Sequence, residues 1–302
     1  MIAIFHSFSI WVALVEASAI AKILLFFFVW LLLWLPVAIP LAISLKWRPP
    51  QPATPSQKLP LLVSLYLIAP FILWGLAQLE GFPFSDYGLA WKRSLGISLV
   101  LGIGLAILGL GLFVAIQKQL GWIKWRSTRS NCDQAATEKA QTVAESDPIP
   151  SLKSIALPLL FLTLWISLTE ELVFRGFLVN QLLQAYSPWV MAAVSSLIFA
   201  VLHLVWEGKE NVPSLPGLWL MGMVLVLARW AGDGSLGLAW GLHTGWIWGI
   251  ASLDTAEATI QTGKGPEWMI GKPGQPLAGL MTILLLLGTA AVIWVGKALV
   301  NG

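Results

Sequence analysis

The sequence predicts an all-α, polytopic membrane protein of about eight transmembrane helices arranged around an intramembrane polar cavity. Three observations predict it. Hydrophobic residues make up 57% of the 302 residues and charged ones 11%, well under the ~25% charged residues of an ordinary soluble domain. Apolar runs long enough to cross about 30 Å of hydrocarbon recur along the whole length. Inside one of them, residues 155–186, two adjacent carboxylates and a guanidinium stand in Thr169-Glu170-Glu171-Leu172-Val173-Phe174-Arg175-Gly176. Each such group costs about 2.5–3.5 kcal/mol at a helix centre, so an intramembrane cluster of them marks a functional site by default.

Taken in order, residues 1–45 are apolar but interrupted by Glu16, Lys22, Pro36 and Pro40. One straight helix of that length would run about 66 Å, twice the hydrocarbon thickness. An interfacial N-terminal helix followed by a span near 20–45 is expected. Its start lacks a basic region and a small-residue cleavage site, which reads as a retained anchor rather than a cleaved signal. A proline-rich loop at 47–59 leads to a second span at 60–78. A short connection at 80–93 leads to a third at 95–116, whose glycines let neighbouring helices approach closely. The hydrophilic segment 118–153 mixes both charge signs with Ser, Gln and Ala and reads as a mobile loop. It opens with Trp122-Ile123-Lys124-Trp125-Arg126, expected as an interfacial anchor. This loop divides N-terminal membrane helices (1–153) from a second helical unit (154–302). Further spans are expected at 155–186, 188–205, 215–229 and 236–253. A polar loop at 255–275 precedes the last span at 277–295.

With these spans, the loops after the first, third, fifth and seventh hold Lys46, Arg48, Lys58, Lys118, Lys124, Arg126, Arg129, Lys139, Lys153, Lys209, Lys264 and Lys272. The other face holds Lys22, Lys92, Arg93, Arg229 and Lys297. The positive-inside rule places the long loop in the cytoplasm, and a multi-pass protein of a prokaryotic cytoplasmic or internal membrane is expected. The net charge of +3 adds little. Cys132 is the sole cysteine, so no intramolecular disulfide forms. The tryptophans read as packing and interface residues with no stacking platform, so the bilayer is the expected partner and nucleic acid is not.

Helix geometry separates the polar residues. Glu171 and Arg175 are four apart, share a face and can pair. Glu170 projects about 100° away and is left free for chemistry. Two of the three histidines, His203 and His243, lie in separate spans, and the third is His6. Imidazole serves as general base, oxyanion donor or metal ligand, although a lone buried histidine is more often only hydrogen-bonded. Intramembrane glutamate and histidine would also suit a proton-coupled transporter. Arg229 and Asp233 are spaced to pair at a span end.

Glu170, Glu171 and Arg175 on one span, Phe199 and His203 on the next, and His243 two spans later resemble, in order and separation, the CPBP family, also called CAAX proteases or Abi proteins. The run from Gly234 to His243 is similar to that family's approach to its last motif. The resemblance covers about residues 158–253. It implies an intramembrane endopeptidase whose helices surround a conical cavity and whose substrate is a peptide or protein tail, lipidated in some members. Glu170 would be the general base, His203 would orient the water, and His243 would donate to the tetrahedral intermediate. Glu171 and Arg175 would hold the helices in place, with Phe199 supporting. The family's description as metalloproteases implies zinc on Glu170, His203 and His243, which would lower the pKa of bound water to ~7. One departure stands out: the family places Asn or Asp four residues after the last histidine, where this chain has Ile247. Losing such a donor typically costs about 10²–10³ in kcat, and Thr244 projects about 100° from His243. A catalytically reduced membrane scaffold on the same fold is the alternative that this departure raises.

Overall fold

In the computed structural model, residues 17–48, 51, 53–126, 149–272 and 274–301 are described. The expected interfacial helix at the start, His6, and most of the hydrophilic loop with Cys132 lie outside them. Helices stand at every expected span: α1 (Ala19–Ser44), α2 (Pro55–Glu80), α3 (Arg93–Gln119), α4 (Leu152–Leu183), α5 (Pro188–Glu207), α6 (Leu215–Ala231), α7 (Gly237–Thr255) and α8 (Leu280–Asn301). The protein is a polytopic all-α membrane protein. Seven of these helices are long and apolar enough to cross a membrane. The exception is α7, which carries His243, Thr244, Asp254 and glycine at every fourth position from Gly237 to Gly249. It meets protein instead of lipid, with every residue from Ala239 to Trp246 buried.

Local chemistry sets the helix ends. The hydroxyl of Ser18 accepts from the Ala21 amide, and that of Ser151 from the Ser154 amide, each satisfying a donor that the first turn leaves free. Gly81, at φ 73°, closes α2 in the left-handed conformation. Three contacts fix which ends share a side. Lys22, early in α1, pairs with Glu80, which ends α2, at 2.7 Å. The chain after α3 forms β1 (Ile123–Trp125), antiparallel to β2 (Thr259–Gln261) after α7. Lys297 in α8 pairs with Asp233 just after α6 at 2.5 Å. All three agree with helices that alternate in direction.

Trp122–Arg126, expected as an interfacial anchor, also pairs: Ile123, Lys124 and Trp125 face Gln261, Ile260 and Thr259, tying two loops together. One expectation is corrected: Asp233 pairs with Lys297 rather than with Arg229, whose guanidinium turns inward to a backbone carbonyl of α4.

The seam between α3 and α7 positions the site. Glycines 237, 241, 245 and 249 lie one helical turn apart, so they form one stripe. A Cβ on Gly237 would sit 2.7 Å from the Leu95 carbonyl oxygen, and one on Gly245 would sit 2.6 Å from the Ala106 Cβ. One on Gly241 would strike the Leu99 carbonyl oxygen. From α3, a Cβ on Gly102 would sit 2.6 Å from the Leu238 carbonyl oxygen. Backbone packs on backbone, the close approach that small residues allow in membranes. The opposite face of α7 is pinned to α4 by indole donors: Trp240 Nε1 to the Leu164 carbonyl and Trp248 Nε1 to that of Ala156, at 2.9 and 2.8 Å.

Candidate active site

The acidic motif sits at a change of helix type. Leu152–Glu170 is α-helical, and Glu171–Leu178 continues the same rod as π-helix. Such wide turns inside α-helices are rare and cluster at functional sites. At about 1.5 Å per residue, Glu170 lies roughly 27 Å along α4 from Leu152. Every residue from Glu170 to Val179 is buried.

Glu171 and Arg175 pair as the spacing predicts, with Nη1 3.1 Å from Oε1 and both side chains at most 1% exposed. The guanidinium also lies 4.2 Å above the Phe199 ring, a cation–π contact that desolvation strengthens. Arg229 donates through Nη1 to the Arg175 carbonyl, through Nε to the Gly234 carbonyl at 3.1 Å, and through Nη2 to Asn180 Oδ1 at 2.8 Å. Its inward turn serves the π segment, where the usual carbonyl-to-amide pairing is displaced and a backbone acceptor takes an external donor. Gly176 lets the neighbouring turn pack there: a Cβ on it would stand 3.0 Å from the Tyr87 carbonyl oxygen. Tyr87 belongs to the link between α2 and α3. Burial first, then the nearby Glu80 carboxylate, raises its phenol above the ordinary tyrosine range.

Glu170 stands outside the Glu171–Arg175 ion pair, as the spacing predicts. Both glutamates nevertheless reach one imidazole: His243 Nδ1 hydrogen-bonds Glu171 Oε1 at 2.8 Å, and Nε2 lies 3.4 Å from Glu170 Oε2. The doublet straddles the α-to-π junction. His243 is 1% exposed and held between the two carboxylates.

The other oxygen of Glu170 has a different partner. Oε1 accepts a hydrogen bond from the Tyr66 hydroxyl of α2. Both residues line a cavity of about 400 Å³ between α1, α2, α4 and α5. Its walls are aromatic and aliphatic, with Trp30, Trp34, Phe174 and Trp206 prominent, while Lys58 and Glu207 line it from one end of α2 and of α5. Apolar walls with few polar groups are the usual make-up of a ligand pocket. His203 lines the same cavity, its Nδ1 2.8 Å from the Phe199 carbonyl. His243 is absent from the lining. The polar cavity expected from sequence is thus a mainly apolar cavity with a polar floor. Thr244 is committed elsewhere, donating to the Trp240 carbonyl at 2.8 Å and lying 2.6 Å from Ser167 Oγ.

Among the described residues, no group of three or more histidine, cysteine, aspartate or glutamate side chains converges to hold a metal ion. Both nitrogens of His243 face carboxylates, whereas His203 has only Nδ1 engaged, by the Phe199 carbonyl. With His243 committed in this way, Glu170, His203 and His243 do not together fit a zinc cage in this arrangement.

Sequence reasoning missed Tyr66 and the carbonyl-capping role of Arg229. Tyr66 carried a signal: it is one of three tyrosines in the chain and interrupts an apolar span.

Compared with known proteins, residues 152–249 match the family described as Type II CAAX prenyl endopeptidase Rce1-like. The match covers α4 to most of α7, about a third of the chain, including Glu170, Glu171, Arg175, Phe199, His203 and His243. No curated protein and no solved structure matches.

Proposed function

We propose that the chain, whose residues 152–249 match the family described as Type II CAAX prenyl endopeptidase Rce1-like, is an intramembrane endopeptidase in which Glu170 activates the attacking water. A protease-type function follows from the family. The mechanism and the substrate are our reading. One observation carries it: Glu170 is 93% buried beneath the cavity, with Oε2 making no hydrogen bond and Oε1 bound only by a phenol. A carboxylate that helix packing alone required would be expected to hide behind its neighbours, as Glu171 does.

In this mechanism Glu170 takes a proton from water as the oxygen attacks the scissile carbonyl, and later gives it to the leaving amine. General acid–base catalysis of this kind is worth about 10²–10⁴-fold. His203, half-buried in the same wall, orients the water or the substrate carbonyl. His243 holds the two glutamates together from behind, while Glu171, Arg175 and Arg229 fix the π segment beneath them. The substrate is a peptide tail that enters between aromatic walls, and a lipid group on that tail would suit those walls.

The test uses the full-length protein in liposomes with fluorogenic peptides ending in Cys-aliphatic-aliphatic-X, prenylated and unmodified. Glu170→Gln keeps the shape and removes the base. Cleavage should fall at least 100-fold, with thermal unfolding followed by tryptophan fluorescence little changed. Equal cleavage by Glu170→Gln and wild type would reject the mechanism. No cleavage by either, across both peptide types, would favour a partner-binding scaffold, the reading that Ile247 supports.

A further inference from the structure

We propose that Tyr66, which lies outside the family-matched segment, is a catalytic residue that donates the hydrogen bond stabilising the tetrahedral oxyanion. The inference rests on the endopeptidase reading and deepens it. Glu170 binds one face of the reaction, and something must receive the charge that develops on the other. Such donors are often the largest electrostatic contribution to catalysis.

The cavity offers few donors. His243 does not line it, and its nitrogens are turned to the two glutamates. The indoles of Trp30 and Trp34 line it, but their N–H groups donate to the Leu65 carbonyl and to Ser64 Oγ, at 2.9 and 3.0 Å. Lys58 lies at the start of α2, two helical turns from Tyr66. Where Asn or Asp would follow His243 by one turn, Ile247 has no polar atom to offer. That leaves His203, the Trp206 indole and the Tyr66 hydroxyl, and of these only the hydroxyl touches the proposed base. Tyr66 is 8% exposed, and its ring lies 6.1 Å from that of Trp30. Packing holds the phenol ring beside Glu170 and leaves its O–H to rotate about the C–O bond.

Its bond to Glu170 also times the donation. In the resting enzyme the hydroxyl points at the carboxylate, the strongest acceptor within reach. Water oxygen then bonds to the carbonyl carbon, its proton passes to Glu170, and the carbonyl π pair moves onto oxygen. Negative charge leaves Glu170 as it appears on the substrate. The Tyr66 hydroxyl swings to the stronger acceptor without losing its own proton. When the tetrahedral species collapses, the oxygen pair re-forms the carbonyl and the C–N bond breaks. The proton on Glu170 goes to the leaving nitrogen, and Tyr66 returns to the carboxylate.

The experiment compares wild type, Tyr66→Phe and Glu170→Gln in liposomes, measuring kcat and KM over pH together with inhibition by a peptidyl phosphinate. An oxyanion donor is expected to lower the plateau kcat about 10²–10³-fold on Tyr66→Phe, leave KM within threefold, and weaken the phosphinate in parallel with kcat/KM. A plateau kcat that stays at wild-type level while the acidic limb of kcat/KM moves would mean that Tyr66 only holds Glu170, and would overturn the proposal. So would wild-type kinetics. Should Tyr66→Phe unfold, 3,5-difluorotyrosine at position 66 keeps the ring and hydroxyl while sharpening the donor. An unchanged kcat there also overturns it. Cleavage that survives Glu170→Gln would defeat the endopeptidase mechanism itself, a separate outcome from a silent Tyr66→Phe.

Discussion

The two sides of the Glu170–His243 contact are built by opposite rules. On the α3–α7 side, glycines let backbone touch backbone, and no Cβ fits at Gly102, Gly237 or Gly241. On the α1–α2–α5 side, large aromatic and aliphatic side chains hold the helices apart around about 400 Å³ of open space. The first arrangement fixes positions, because an atom with no free volume has nowhere to move. The second admits a ligand, at the cost of packing that the same side chains could otherwise have made. In the proposed mechanism, a base held in place while a peptide enters needs one wall of each kind. The residues between the walls show the division: His243 and Glu171 are sealed, whereas Tyr66, His203 and one oxygen of Glu170 meet the cavity.

The largest effect should come from breaking the sealed side at its charges. Arg175→Met removes the arginine partner of Glu171 and the cation above Phe199. It leaves a carboxylate that is 0% exposed with the His243 imidazole as its remaining contact, and breaking a buried pair in this way costs about 3–5 kcal/mol. Chemical denaturation in detergent should show that loss, and little folded protein should be recovered. If Arg175→Met unfolds at the wild-type midpoint, the pair is not what holds the π segment. Next comes the seam itself. Gly241→Ala drives a methyl group into the Leu99 backbone carbonyl, which cannot rotate away as a side chain would. Overpacking of this kind costs about 1–3 kcal/mol. Because α7 carries His243 two residues on, activity should fall with stability. Gly104→Ala, in the same helix as Gly102 but with nothing near its Cβ, should leave stability within about 1 kcal/mol or raise it slightly. Equal losses in the two variants would mean that helix flexibility, and not the seam, sets the cost.

Much of this was legible because membrane helices must satisfy their backbone internally, so long apolar runs have few other structures open to them. The polar cluster was legible for a related reason: Glu170, Glu171, Arg175, His203 and His243 are conspicuous against hydrocarbon. What escaped was whatever depends on partners distant in sequence. No local pattern announces that Glu171–Leu178 widens into a π-helix, or that one histidine meets both glutamates. Arg229 and Asp233 have the right spacing to pair, but a carbonyl on α4 competes for one and Lys297 on α8 for the other. Trp122–Arg126 has the composition of an interfacial anchor, and its strand pairing depends on a segment after α7. The glycine stripe of α7 was visible as spacing, yet only the position of α3 reveals what it is for.

The smallest expected effect sharpens the comparison from the open side. Leu31 lines the cavity from α1 and is 51% exposed, so it is only loosely packed within the bundle. Leu31→Trp adds bulk at this half-exposed position on the cavity wall. Substitutions away from packed or charged features usually stay within about 0.5 kcal/mol, so the unfolding midpoint should hardly move. If substrate passes along this wall, the narrowed cavity should raise KM severalfold while kcat stays near wild type, since Glu170 and Tyr66 are untouched. A lower kcat at constant KM would place the added ring at the chemistry instead of on the route to it. No change in either constant would mean that the peptide enters elsewhere, and the aromatic wall would lose its role as the substrate's side of the site.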